Sequence, residues 1–253
     1  MRTILAIFKK DLKTNVLAPS SFFIFAVFAL LGGFFFFANL MDYESLSTAQ
    51  TSNLPGFAEA VFSPLIVNAV LVLLFLIPVI TMRSFVEERK SGALELLFTY
   101  PVSDFEIVAG KFLAALVHLF ILILPVFLDF LFLYYINYHF ELPILYSAFV
   151  GLILVAFSFV SIGLFISSLA QNQGISAILS FVILAVWWSI GFIGHVFFKD
   201  PAWIGDVWAL GHLREFSNGV IELKHGVFYI LVTAFFFFLT LLSIESRAWK
   251  RES

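Results

Sequence analysis

The sequence predicts an all-α membrane protein with six transmembrane helices, and three observations carry that reading. First, 62% of the 253 residues are hydrophobic and only 12% are charged, against about 25% charged in an ordinary soluble domain. One soluble core cannot hide that much apolar side chain, so much of it must face lipid. Second, apolar runs of about 20 residues, the length that crosses a bilayer, recur at 20–41, 61–82, 109–136, 144–170, 174–198 and 226–246. Third, Lys and Arg fall unevenly on the segments between these runs, as the positive-inside rule requires of a membrane protein. The chain contains no Cys, which excludes disulfides, thiol catalysis and thiolate metal sites.

Residues 1–19 open the chain with an amphipathic pattern. Ile4, Leu5, Phe8, Leu12 and Val16 recur at helical spacing, and Arg2, Lys9, Lys10 and Lys13 supply the charge. Such a helix lies in the headgroup layer with its lysine stems reaching outward, and it is not a cleavable signal. Pro19 separates it from the first span. Phe runs at 34–37 and 235–238 read as lipid-facing bulk in the first and last spans. Pro78 and Pro125 are expected to kink spans two and three. Spans four and five are separated only by the polar turn 171–174.

The segment 199–225 is too apolar for a free loop, with Trp203, Ile204, Trp208, Leu210, Leu213 and Phe216. It is expected to form two short re-entrant or interfacial helices broken near Gly211, lined by protein rather than lipid. Asp200, Asp206, Arg214, Glu215 and Glu222 then mark its watered side. No repeat of fixed period appears, and 1–253 reads as one transmembrane domain.

The cations set the orientation. Four lie in the N-terminal segment, four after span two (Arg83, Arg89, Lys90 and Lys111) and three in the tail (Arg247, Lys250 and Arg251). Segments 42–60 and 137–143 have none, and 199–225 has three. Both termini and the loop after span two are therefore expected in the cytoplasm, with the acidic segments outside.

That loop, 83–111, is the longest polar break between two long apolar runs, whereas helix connections usually take about 2–8 residues. A charged helix end carries Glu87, Glu88 and Arg89, and a turn follows at Ser91-Gly92. Leu94, Leu97 and Phe98 then form an apolar stripe on a short helix, with Glu95 on another side, and Pro101 stops it. Ser103-Asp-Phe-Glu106 is a capping box that starts span three. An exposed apolar stripe on a short helix fits a groove in a partner, or rests on the membrane surface.

The run 87–112, EERKSGALELLFTYPVSDFEIVAGKF, resembles the cytoplasmic loop of ABC-2 type exporter permeases, including the Gly-Lys-Phe at the start of span three. The run 216–247 is similar to the Phe-Ser-x-Gly-Val-Ile-Asp-Leu segment of gliding-motility permeases and of Nos-type permeases of nitrous oxide reductase maturation. The opening 7–37 is similar to theirs too. Ala93 stands where Thr is common, and Asn218 where a basic residue is common. The resemblance implies a permease subunit in the bacterial cytoplasmic (inner) membrane that pairs with a second copy as a homodimer. Two copies of an ABC ATPase would dock on 83–108 through Glu87, Glu88, Arg89, Gly92, Leu94, Glu95, Leu97 and Phe98, the coupling helix of the family. This chain lacks a GxxxxGK(S/T) phosphate loop, so ATP and Mg belong to the partner ATPase, and the chain itself is expected to carry no cofactor or metal and no nucleic acid. An outer-face or periplasmic protein is a further partner the resemblance allows.

Two polar residues sit in span three. His118 and Asp129 are eleven positions apart, about 16 Å along a helix, too far to pair. An intramembrane carboxylate is a functional-site candidate, but Asp129 lies near a span end where it can reach water, and His118 reads as a packed residue. Ser158, Ser161, Gly163, Ser167 and Ser168 in span four, with Gly191 and Gly194 in span five, let helices approach closely. Two alternatives stand beside the permease reading. One is a non-transporting anchor that passes ATPase strokes to an outer-face protein. The other is an intramembrane metalloprotease, since Glu87-Glu88-Arg89 faintly matches the Glu-Glu-x-x-x-Arg motif of prenyl proteases, though with the wrong spacing.

Overall fold

The computed structural model describes residues 2–48, 56–92, 102–135, 142–198 and 202–252. They form helices throughout, with no strand among the described residues. Helix α1 is Arg2–Val16, α2 is Pro19–Thr48, and α3 is Ser63–Thr81 after a π-helical turn at Ala58–Phe62. Helix α4 is Val86–Lys90, α5 is Asp104–Leu122, α6 is Leu124–Tyr135, and α7 is Leu142–Leu169. Helix α8 is Gln173–Phe198, α9 is Ala202–Val207, α10 is Ala209–Ser217, and α11 is Leu223–Glu252. Six segments are long and apolar enough to cross a membrane: α2, the α3 segment, α5 with α6, α7, α8 and α11. The protein is an all-α integral membrane protein.

Helix α7 is the hub. It packs against α3, α5, α8, α10 and α11, and Leu152, Val155, Ala156 and Phe159 are fully buried along it. Its small residues serve contacts inside the chain. A Cβ on Gly163 would stand 2.3 Å from Thr81 Oγ1 of α3. Ser158 Oγ donates to Tyr229 O of α11, and Ser168 Oγ donates to Ser243 Oγ at 2.9 Å. Helices α2, α8 and α11 stand at the edge and leave most of their apolar surface outward.

Several expectations change in detail. The Phe runs split: Phe34, Phe37, Phe235 and Phe238 face outward, while Phe36 is buried and Phe236 and Phe237 pack on the core. Four consecutive helical residues turn through about one full circuit, so a run cannot face lipid throughout. Pro78 sits inside a continuous α3, whereas the third span breaks at Ile123, between α5 and α6. Pro125 lacks the N–H that would bond the carbonyl of Ile121, which places the break there.

The segment between spans five and six does form two short helices, but they part at Trp208, not at Gly211. Trp208 takes an extended backbone conformation (φ −76°, ψ 112°). Its indole donates to Trp188 O at 2.8 Å and lies so close to α8 that a Cβ on Gly191 would be 2.2 Å from the ring. Seating that ring fixes the break three residues early, and Gly211 continues α10 beneath it. Asp206, Arg214, Glu215 and Glu222 are exposed as expected, and Asp200 lies outside the described residues. Helix α10 is closed just past its end by Gly219, whose φ of +87° suits glycine, with Gly219 N–H to Phe216 O and Val220 N–H to Glu215 O.

Candidate functional site

The charged loop after span two is anchored on three sides. Its first anchor is α1. That helix does more than lie on a membrane surface: Ile7 is buried, and a Cβ on Gly110 of α5 would come within 2.9 Å of Ile7 Cγ2 and 3.2 Å of Ile4 O. Only a glycine admits this approach. The next residue, Lys111, is 2% exposed at its side chain and reaches Asp11 Oδ2 at 3.0 Å and Glu88 Oε2 at 2.8 Å. Its ammonium also donates to Ser84 O at 2.7 Å. Lys10 completes the network by donating to Glu88 Oε1 at 2.8 Å. Partial burial works against the charge on Lys10, but the hydrogen bond and charge of Glu88 outweigh it and hold the lysine above its ordinary range.

The second anchor is the end of α7. Arg89 donates through both terminal nitrogens to the carbonyls of Ser168 and Ala170. These are C-terminal carbonyls of a long helix, where a cation satisfies orphan acceptors and the negative end of the dipole together. Phe85 N–H donates to Ser167 Oγ at 3.2 Å, and Gln173 Nε2 donates to Glu87 Oε1 at 2.9 Å. The third anchor is α5 itself, which begins with the capping box: Glu106 N–H to Ser103 Oγ and Ser103 N–H to Glu106 Oε2.

The candidate docking residues therefore separate into two kinds. Glu88 and Arg89 face inward and act as struts, while Glu87 and Lys90 are exposed. Gly92 follows α4 with φ +70°, the left-handed conformation that ends a helix cheaply only with glycine. Leu94, Glu95, Leu97 and Phe98 lie outside the described residues. Lys9 and Lys13 are exposed on α1, whereas Lys10 is drawn into the network. A charged cavity of about 630 Å³ opens beside the struts, between α1 and α4.

His118 is buried in α5, and Asp129 is half-buried in α6 beyond the break at Ile123. One buried carboxylate oxygen of Asp129 and Nδ1 of His118 have no hydrogen-bond partner. Glu88, half of the protease-like motif, is held by two lysines rather than facing a histidine.

Sequence reasoning missed Asp11 and the role of Lys111. The signals were there: one acid in a basic amphipathic helix, and a lysine seven residues into an apolar helix, which needs a partner.

A family model described as ABC-2 family transporter protein matches residues 5–200. The chain belongs to the ABC-2 transporter family. The match begins inside α1 and ends beyond α8, so it takes in the three-sided anchor and five of the six spans. No curated protein matches the chain significantly. Members of this family are transport subunits rather than enzymes, and this ABC-2 protein is a membrane permease subunit.

Proposed function

We propose that this permease works as a homodimer in the bacterial inner membrane, with both termini cytoplasmic, driven by two copies of a separate ABC ATPase. The ATPase binds ATP and Mg and docks on 83–108. The observation that carries this reading is the anchoring of α4. A push on the loop reaches α1 and α5 through Glu88 and Lys111, and the end of α7 through Arg89, so it moves the hub of the bundle. Glu87 and Lys90 are exposed and precede in the sequence the apolar residues Leu94, Leu97 and Phe98, whose helical spacing suits a groove of the ATPase. The sidedness rests on the positive-inside distribution. Within the family, the similarity of 216–247 points to the gliding-motility and Nos-type permeases.

The test replaces Leu94 and Leu97 together by Asp. The variant should insert at the wild-type level and lose the co-expressed ATPase on affinity purification. Retention of the ATPase at the wild-type ratio would overturn the docking assignment.

A further inference from the structure

Where α1 meets α2, two cavities join. One, of about 80 Å³, is the more polar and is lined by Asn15, Ser20, Ser21, Arg83, Glu87 and His118 among others. The other, of about 230 Å³, is apolar and is lined by Phe22, Phe25, Ile121 and Leu122. They share Ser21 and His118. The polar one also shares Asn15, Arg83 and Glu87 with the larger charged cavity beside α4.

Two buried polar atoms here are unsatisfied. His118 is 5% exposed, and its Nδ1 has no hydrogen-bond partner. Arg83 Nε is buried and donates to nothing. It is ion-paired with Glu87 Oε1 at 3.7 Å, beyond hydrogen-bond reach, and that oxygen accepts its hydrogen bond from Gln173 Nε2. Arg83 Nη1 reaches only Ser20 Oγ, at 3.4 Å. Native proteins rarely leave such atoms without a partner. The same cavity faces the beginning of α2, a 30-residue helix whose dipole favours an anion; Pro19 has no N–H and Ser21 N–H already donates to Ala18 O, so the attraction comes from the dipole. A guanidinium, an imidazole and a helix N-terminus thus converge on one small space.

The apolar branch fixes what kind of anion fits. Phe22 and Ile121 line it and are also exposed on the outer surface of the spans, so the branch opens where acyl chains lie. The polar branch sits at the membrane border, beside the amphipathic α1. An occupant must therefore be an amphiphile with a phosphate-like head and a hydrocarbon tail.

We propose that this elbow binds a membrane phospholipid, with its phosphodiester held by Arg83, His118 and the start of α2, and one acyl chain laid against Phe22, Phe25, Ile121 and Leu122. The bound lipid wedges α1 against α2 and α5, and so sets the angle of the helix that carries Lys10 and Asp11.

The full-length protein, extracted in mild detergent and washed, should retain a single phospholipid per chain by native mass spectrometry. Arg83→Gln and His118→Phe should each lower that retention roughly tenfold, the loss expected for one charge-assisted hydrogen bond. Glu215→Gln, on exposed α10, should leave it unchanged. A phospholipid with a diazirine in its acyl chain should crosslink wild-type protein at 22–25 and 121–122, a measurement independent of how the variants fold. Full retention in both variants, crosslinks spread evenly over the lipid-facing spans, or a wild-type chain that keeps no lipid would overturn the proposal. So would inorganic phosphate stabilising the washed protein as well as phospholipid vesicles do, since a free anion would then suffice.

Discussion

Replacing Lys111 by Met removes a charge but keeps most of the side-chain length, so the packing beside Gly110 survives. What is lost is the shared partner of Asp11 and Glu88, at 3.0 and 2.8 Å, from a lysine 2% exposed. Glu88, 10% exposed at its side chain, would keep only Lys10. Breaking a buried pair on one side leaves an uncompensated charge and costs about 3–5 kcal/mol. Lys10→Met is the internal comparison. That lysine is 57% exposed, so its loss should cost no more than about 1 kcal/mol. The double variant Lys111→Met with Glu88→Gln removes both charges and should be less destabilised than the sum of the two single changes, because contacting residues couple. Equilibrium unfolding in mixed lipid–detergent micelles compares the three single variants and the double variant with wild type. If Lys111→Met costs no more than Lys10→Met, the network is not a strut and the route from loop to bundle fails.

Three further predictions address other parts of the molecule. Gly110→Val should push α1 off α5, since even a Cβ would meet Ile7 at 2.9 Å; faster hydrogen–deuterium exchange of the α1 amides in the variant tests this, and unchanged exchange would refute it. His212 is held below the ordinary imidazole range by burial above all; its hydrogen bond to Asp206 opposes this, and the nearby charges of His225 and Lys224 add to it. The unfolded chain therefore binds the proton more readily, so stability contributed by neutral His212 is present above about pH 6.5 and falls as pH drops below it; thermal unfolding of wild type should weaken between pH 7.5 and 5, and His212→Gln should flatten that dependence. Finally, an impermeant thiol reagent added outside intact cells should label cysteines at Ser47 and at exposed Glu215 but not at Ser91; labelling at Ser91 alone would reverse the orientation.

Legibility followed distance along the chain. The six spans, the break at Pro19, the glycine turn at Gly92 and the Ser103–Glu106 capping box are all local patterns, and each appears where its residues place it. The segment between spans five and six was readable as helical from its apolar density. Its break was not, because Trp208 is extended to reach Gly191 and Trp188 on another helix. The candidate site shows the same limit. Glu87, Glu88 and Arg89 form one charged cluster in the sequence, yet each has a different destination. Glu87 stays exposed, Glu88 turns to a lysine 23 residues later, and Arg89 turns to carbonyls about 80 residues away.

The separation of those three roles bears on how force would travel. A docking loop joined only through its flanking backbone would bend when pushed and move little else. Here α4 is cross-braced: Arg89 fixes one side to the hub helix α7, while Glu88 and Lys111 fix the other to α1 and α5. The braces are ionic, and Glu88 and Lys111 are largely removed from water, where attraction is screened less than at the surface. The segment therefore resists bending about either side alone and moves most readily as a body with the ends of three helices. Gly92, with its left-handed backbone, is the first residue past the braces and the natural place for motion to separate from the rigid part. A stroke delivered beyond Gly92 would be taken up by the turn if it were small, and by the bundle once the turn reached its limit. Stiffening that turn with Gly92→Ala, at a strained φ, should thus weaken the α4 end of the loop more than it weakens the spans, and limited proteolysis of the loop measures the difference. Equal protection in variant and wild type would place the hinge elsewhere.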